Sequence, residues 1–387
     1  MKLLEYEGKA LLLRHGVPVP AGALWPQVPE SGNGWMIKAQ VLTGGRGKRG
    51  GIQVADTCSE LDQRARAMQG SRLGEEPVHS VYIEPRLRID HEYYLAAMVN
   101  RDLGQLSVMA SASGGMDIEQ VPKSRIATFD LDPLAGLMEF QVQHLRRALT
   151  LPDSLAAQFG DIVRNTLATL VQEDAELVEI NPLVCTMEGQ LVAADAKVVL
   201  DDDAMFRHPS RPVPAAWSAD SRFMQRCREL AVIGVDSRAT CQPSRRPSVA
   251  LLGNGAGLTM ATYDQIALSG VGVAGAIELH GALARGVEHT AEVIRTLFLL
   301  EADVVFINAF YQLRSTHALA QALLQSLLSP GAPSRDSVVV RMRGVQQEIS
   351  QKMMEEGGCF YTPSLSEATA RVLAIVDAKS RKAEMAR

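Results

Sequence analysis

Cysteine is sparse and unpaired in this sequence: Cys58, Cys185, Cys227, Cys241 and Cys359 are scattered, with no CxxC pair among them. That spacing points to neither a zinc site nor a disulfide framework, and it fits a reducing, cytoplasmic setting. Long apolar runs are also lacking. No stretch reaches the roughly 20 residues that a membrane-spanning helix needs, and the opening Met1-Lys2-Leu3-Leu4-Glu5-Tyr6-Glu7 is too charged to read as a secretory leader. Nor is there an excess of positive charge. The formal net charge is −5, so no nucleic-acid or membrane partner is expected. No strong internal repeat or low-complexity tract is present. What remains is 387 residues of 47% hydrophobic content, enough for two or three domains with sizeable cores.

Helix and strand breakers divide that chain. Leu3 to His15 read as a helix ended by Gly16 and the Pro18-Val19-Pro20 turn. Apolar runs at Trp35–Val41, Val81–Glu84, Tyr93–Val99 and Leu106–Ala110 read as strands, and Ser154–Leu170 as a helix. Polar, Pro- and Arg-bearing stretches at Arg207–Pro214 and Cys241–Pro247 flank a short helical segment. They set an expected boundary: a first portion over 1–228, a linker over 229–247 and a C-terminal domain over 248–387. Beyond it, Val249–Leu252, Val271–Ile277, Val304–Asn308 and Val338–Val340 alternate with helical patterns. This predicts an α/β chain whose second part is a parallel, doubly wound sheet.

Two segments carry chemistry. Ile37-Lys38-Ala39-Gln40-Val41-Leu42-Thr43-Gly44-Gly45-Arg46-Gly47-Lys48-Arg49-Gly50-Gly51 joins an apolar strand to a glycine loop. Glycines let backbone N–H groups approach phosphate oxygens, and Lys38, Arg46 and Lys48 supply compensating charge. The spacing is not a Walker A loop, and an exposed, mobile basic turn is the competing reading. The second segment is Leu177-Val178-Glu179-Ile180-Asn181-Pro182-Leu183, followed by Leu191-Val192-Ala193-Ala194-Asp195-Ala196-Lys197. As a hairpin it brings Glu179, Asn181 and Asp195 together, with Glu179 and Asn181 on one face. Hard oxygens on a rigid hairpin suit Mg²⁺; a polar face turned to solvent is the alternative.

Glu5-Tyr6-Glu7-Gly8-Lys9, the Lys38–Gly51 loop, Val178–Leu183 and Gly253-Asn254-Gly255-Ala256-Gly257-Leu258 together resemble, in order and spacing, the β subunit of succinyl-CoA synthetases over essentially the whole chain. The resemblance implies an ATP-grasp nucleotide-binding portion in two lobes, 21–87 and 1–20 plus 88–228, followed by a flavodoxin-like CoA-ligase domain. It also implies an α-like partner that binds CoA and carries a phosphorylated histidine. On the same basis Lys38, Gly45, Arg46 and Gly47 correspond to phosphate-binding positions, Glu84 to the acid beside the adenine hinge, and Glu92 to the ribose-binding acid. Asn181 and Asp195 correspond to Mg²⁺ ligands, Glu179 to the acid that receives the partner's histidine, and Asn254 to a substrate contact. The surroundings of Pro20 favour ATP over GTP.

The C-terminal half departs from the family pattern. Only Gly281 remains of a glycine run at Ile277-Glu278-Leu279-His280-Gly281-Ala282-Leu283. Tyr311-Gln312-Leu313-Arg314 stands where a glycine pair is usual, and Arg341-Met342-Arg343-Gly344 replaces a Gly-x-Asn turn. Arg314 offers a guanidinium for a carboxylate or phosphate, with a helix-capping surface arginine as the competing reading. His280 is read as structural, not as a phosphate carrier. The expected function is the β-like subunit of an ATP-dependent carboxylate–CoA ligase that forms acyl-CoA, ADP and phosphate from an acid other than succinate. Two alternatives stand beside it: a noncatalytic nucleotide-binding regulatory or scaffold subunit, and an ATP-grasp ligase that phosphorylates a carboxylate directly.

Overall fold

A computed structural model describes residues 1–74, 76–211, 221–238 and 247–385, and the chain divides into two compact units, 1–218 and 219–387. In the first unit, helix α1 (Glu5–Arg14) starts where the Glu7 carboxylate accepts the Leu4 N–H at 2.9 Å. Acidic residues in its first turn and Arg14 in its last complement the helix dipole.

One antiparallel sheet of this unit follows, with strands β1 (Ala23–Leu24), β2 (Trp35–Gln40), β3 (Ile52–Ala55) and β6 (Ser80–Pro85) in the order β1-β6-β2-β3. Strands β4 (Arg72–Leu73) and β5 (Glu76–Pro77) form a small pair of their own. Helix α2 (Cys58–Met68), capped by the Thr57 hydroxyl accepting Glu60 N–H at 3.2 Å, buries Leu61, Ala65 and Met68 in one core with Ile37, Ala39, Val81 and Ile83. The spacing of those three residues is the helical repeat that the sheet face demands.

A second antiparallel sheet runs β11 (Leu191–Ala193), β10 (Ala175–Thr186), β7 (Ile89–Asn100), β8 (Gln105–Ser111), β9 (Ala127–Leu131), with β12 (Lys197–Leu200) pairing β10. Helices α3 (Glu139–Ala148) and α4 (Ala156–Gln172) cover it. From α4, Phe159, Ile162, Val163 and Leu170 enter a core that α1 completes with Leu11 and Leu12. The long strand β10 matters most for chemistry, because it holds Glu179 and Asn181 and pairs with three neighbours.

In the second unit, β13 (Ile233–Asp236), β14 (Pro247–Gly253), β15 (Gly272–Glu278), β16 (Val304–Ser315), β17 (Val338–Val345) and β18 (Phe360–Thr362) form one sheet ordered β13-β15-β14-β16-β17-β18. All pairings are parallel except that of β13 with β15. The helices are α5 (Arg222–Glu229), α6 (Ala256–Leu268), α7 (Val287–Phe298), α8 (His317–Ser326), α9 (Gln347–Glu356) and α10 (Leu365–Met385). Two apolar clusters hold the unit together, and β14, β16 and β17 contribute to both. Sequence order reverses at β14, between its neighbours β15 and β16, which makes the carboxyl ends of these strands the natural crevice of such a sheet. No helix among the described residues is long and apolar enough to cross a membrane.

Two expectations are corrected. Residues 221–236 belong neither to the first portion nor to a linker, because Phe223, Cys227, Leu230 and Val232 are buried in the second unit's core and β13 pairs with β15. The flanking stretches expected to mark the boundary fall largely at 212–214 and 241–246, outside the described residues. Nor are residues 311–314 a turn: they lie within β16, where the four steps from Tyr311 to Ser315 face one step of β17, Gly344 to Val345, so Gln312-Leu313-Arg314 bulge from the ladder.

Candidate functional site

Three cations of the first unit converge on three carboxylates. Lys38 on β2 places Nζ 2.8 Å from Glu5 Oε1 and 2.6 Å from Glu84 Oε2, and donates to the Ala194 carbonyl at 2.7 Å. Lys9, one helical turn after Glu5, shares all three acceptors: Glu5 Oε1 at 2.8 Å, the Ala194 carbonyl at 2.7 Å, and Glu84. Arg46 closes the group. Its Nη2 donates to both Asp195 oxygens at 2.8 Å and its Nη1 to the Ala39 carbonyl at 3.1 Å. Nη1 also lies 2.6 Å from Glu5 Oε2, an ion pair without the alignment of a hydrogen bond.

Such a group survives burial only because its charges cancel. Burial acts to raise the Glu5 carboxyl, yet Lys38, Lys9 and Arg46 outweigh it and hold Glu5 well below the usual carboxylate range. Burial likewise acts against the Lys38 charge, and Glu5 and Glu84 overcome it, so Lys38 titrates above the ordinary lysine range. For Lys9 burial prevails over Glu5, with Lys38 adding repulsion, and its value is lowered.

Beside this group opens a cavity of about 350 Å³, walled by residues 41–48, 115–119, Glu179, Asn181, Asp195, Lys197 and Lys2. The glycine loop is fastened from outside: the Glu76 carboxylate accepts Thr43 N–H at 3.0 Å and also Leu42 N–H, Lys2 donates to the Leu42 carbonyl, and Arg49 to that of Gly44. Lys48 spans to Asp117 at 2.6 Å. Among the described residues the Gly44 and Gly45 amides donate to no acceptor of the protein. The loop is therefore a held rim with open amides and a buried arginine, not a mobile basic turn.

The opposite wall depends on Asn181, whose Oδ1 accepts Gly115 N–H at 2.8 Å and whose Nδ2 donates to the Met116 carbonyl at 2.9 Å. Gly115 has φ +70°, a conformation that favours glycine, and a Cβ there would displace the Glu92 carboxylate. Glu179 stands opposite Lys197 in the β10–β12 ladder, with Lys197 Nζ 3.1 Å from its Oε2.

These donors fit Mg²⁺. Among the described residues no group of three or more His, Cys, Asp and Glu is arranged to hold a metal. Asn181 and Asp195 instead offer two hard oxygen side chains on one cavity, the small protein share that Mg²⁺ takes when water and phosphate complete its shell.

Neither Glu84 nor Glu92, expected at the nucleoside end, lines this cavity. Glu84 is buried between Lys9 and Lys38, whereas Glu92 is exposed on β7 beside Gly115. Lys38 also stands behind the lining rather than in it. Sequence reasoning gave no role to Glu5, Lys9, Lys2, Lys197 or residues 115–119. One signal was available for the first two: an i,i+4 ion pair on the helix face that also buries Gly8 and Leu12.

In the second unit the strand ends are occupied by the chain itself. Asn254 clamps β16, donating to the Phe310 carbonyl at 2.8 Å and accepting its N–H at 2.6 Å. The Glu278 carboxylate takes the Gly255 N–H at 2.7 Å, at the start of α6, and the His280 N–H at 2.9 Å. The backbone amide at that helix start is thus taken by an internal carboxylate. Tyr311 packs against the core, and burial, with Glu278 adding to it, pushes its hydroxyl up to about 12. Its backbone passes so near Gly344, φ +136°, that a Cβ there would meet the Tyr311 carbonyl oxygen at 1.9 Å. Gln312, Leu313 and Arg314 are exposed on the bulge.

A family model described as an ATP-grasp domain matches residues 2–185. The succinate–CoA ligase [ADP-forming] subunit beta of Persephonella marina is 33% identical over 94% of this chain and 96% of its own length. That of Aquifex aeolicus is 34% identical over 92% and 94%. Among solved structures, ATP citrate lyase from Methanothrix soehngenii in complex with citrate and coenzyme A aligns with a TM-score of 0.69 over 93% of this chain and 95% of that one, at 18% identity, a likeness of fold. The first unit carries an ATP-grasp domain and the second a mainly parallel α/β sheet, and the chain belongs to the family of β subunits of ADP-forming succinate–CoA ligases.

Proposed function

We propose that this chain is the nucleotide-binding, β-like subunit of an ATP-dependent carboxylate–CoA ligase, working with an α-like subunit that binds CoA and carries a phosphorylated histidine. The observation that carries the reading is the cavity of the first unit, where the open Gly44 and Gly45 amides, buried Arg46 and the oxygens of Asn181 and Asp195 converge. Phosphoryl transfer asks an enzyme chiefly for positioning and charge neutralisation, and this set supplies both. The glycine amides and Arg46 would receive phosphate oxygens, with Lys38 behind them as fixed positive charge. Asn181 and Asp195 would hold Mg²⁺, which when bound neutralises the triphosphate and aligns its terminal group. Glu84 and Glu92 serve the nucleoside end of this reading. Glu179 would accept an N–H of the partner's imidazole, exchanging it for Lys197. The phosphoryl group then passes to a carboxylate, and CoA displaces it to give acyl-CoA and phosphate.

The acid is proposed to differ from succinate. Tyr311, Gln312, Leu313 and Arg314 bring side chains to a strand end beside Asn254, where the family pattern has close-approaching backbone. A second reading, a nucleotide-binding subunit without ligase chemistry, is favoured by one observation: Glu278 already occupies the Gly255 amide at the start of α6, together with that of His280. Co-expression with an α-like subunit, followed by a thioester assay over short di- and tricarboxylic acids, separates the two. Acyl-CoA formed only by the pair, with succinate a poor substrate, supports the ligase. Nucleotide binding with no thioester from any acid supports the second reading.

A further inference from the structure

Arg46 has two carboxylate partners, and they differ in one respect that decides their roles. Both residues line the cavity, but the Glu5 side chain is 1% exposed and also holds Lys38 and Lys9, whereas the Asp195 side chain is 28% exposed. Moving Glu5 would strand three buried cations. Moving Asp195 would break its two hydrogen bonds from Arg46 Nη2 and the one from Ala196 N–H at 2.7 Å, with water and cavity contents at hand to replace them.

We propose that Glu5 is a positioning residue, the permanent counter-ion that keeps Arg46 and Lys38 aimed, and that Asp195 is the exchangeable one. Arg46 Nη2 is held by Asp195 in the free protein and turns to a phosphate oxygen when Asp195 is drawn to Mg²⁺. The inference rests on the nucleotide reading above. Its consequence is a coupling: nucleotide without metal must break the Arg46–Asp195 pair and leave a carboxylate facing its phosphates, and metal without nucleotide must strip Arg46 of a partner. Each ligand removes the cost of the other, so they bind cooperatively.

Glu5 enters through the strength of the Arg46–Asp195 pair. With Glu5 in place Arg46 shares its charge between two carboxylates; with a neutral residue there, all of it falls on Asp195, and the exchange becomes harder. A residue that merely supported the fold would affect binding whether or not Asp195 were charged. The positioning role instead predicts that neutralising Asp195 relieves the defect.

The test is equilibrium binding of ATP in Mg²⁺ and in excess EDTA to the full chain, for wild type, Asp195→Asn, Glu5→Gln and the double variant. Wild type should bind at least tenfold more tightly with Mg²⁺. Asp195→Asn should bind metal-free ATP severalfold more tightly than wild type, with most of the Mg²⁺ gain gone. Glu5→Gln should weaken ATP binding about tenfold in either buffer, and the double variant should return metal-free binding to near the Asp195→Asn level. Unchanged or weaker metal-free binding by Asp195→Asn would overturn the exchange, and this variant, partly exposed and isosteric, does not depend on Glu5→Gln folding. A double variant as poor as Glu5→Gln would overturn the positioning role. Wild type that binds no nucleotide in either buffer would instead remove the nucleotide reading itself.

Discussion

The two units treat polar groups at their candidate sites in opposite ways. In the first, charged side chains are satisfied behind the cavity while the Gly44 and Gly45 amides stay open toward it. In the second, the turn after β14 has its amide taken by Glu278, and the Asn254 side chain is spent on the β16 backbone. A site that keeps its donors open while anchoring its cations is built for a highly charged ligand. A site closed by its own carboxylate must either exchange that group or grip its ligand by other means, and the exposed bulge with Arg314 offers such means. Under the proposed function, the difference teaches that the ends of one such subunit can diverge separately: phosphate chemistry tolerates few arrangements, whereas recognition of an acid tolerates many.

The comparison breaks most severely at Glu5. Glu5→Ala leaves Lys9, Lys38 and Arg46 without their shared partner and should destabilise the first unit by about 3–5 kcal/mol, read by urea unfolding through tryptophan fluorescence, to which partly buried Trp25 and Trp35 contribute. Glu278→Ala, whose freed amides can be met by water, should cost about 1 kcal/mol. Equal losses would contradict the contrast.

Ligand affinity sharpens it next. Lys38→Ala, which removes the fixed charge behind the cavity and its charge-assisted bonds to Glu5 and Glu84, should weaken Mg·ATP by roughly 1.5–3 kcal/mol, and Arg314→Ala should leave it unchanged; calorimetry measures both. Wild-type affinity in Lys38→Ala would remove that lysine from the site. Acid selectivity should respond in the reverse sense. In the presence of the partner, Tyr311→Gly/Gln312→Gly and Arg314→Ala should each shift the ratio of kcat/KM between succinate and the preferred acid by roughly tenfold or more, whereas Lys38→Ala should lower both values together. An unmoved ratio in both variants would exclude the bulge as the specificity element.

The smallest effect is the pH dependence. The folded Glu5 carboxyl lies well below its ordinary value, so its stabilisation is full above the unfolded carboxylate pKa and is lost as pH falls through the folded one. Lys38, held above the lysine range, contributes fully below the unfolded lysine pKa and loses its contribution as pH rises through the folded value. Lys9, held low, opposes Lys38 on the alkaline side, which leaves the acid limb as the clear signal. Glu5→Gln should flatten that limb in urea midpoints measured from neutral pH downward; a limb of unchanged slope would show that other carboxylates govern it.

Much of this was legible in sequence. Apolar runs gave β2, β6, β14 and β17 to within a few residues, and glycines beside cations marked the loop that rims the cavity, because those patterns are local. The residues that escaped act at a distance. Glu5 and Lys38 are 33 positions apart, and Arg46 and Asp195 149, so no window joins them. That Glu84 is buried between two lysines is likewise a fact of tertiary packing alone. The segment 221–236 reads in sequence as the end of the first portion and the start of a linker because its few apolar residues find their partners on β15 and α7, far along the chain. At β16, bulk where glycine is usual was visible, but that the chain continues as a strand with a bulge was not.

Hydrogen–deuterium exchange of the full chain with and without Mg·ATP tests the central claim most directly, because it reads both units in one experiment. The account predicts added protection at residues 42–48 and 115–119, the two rims of the cavity, and none at 253–257, 278–281 or 311–315. Unchanged exchange at 42–48, or equal protection at the strand ends of the second unit, would contradict it.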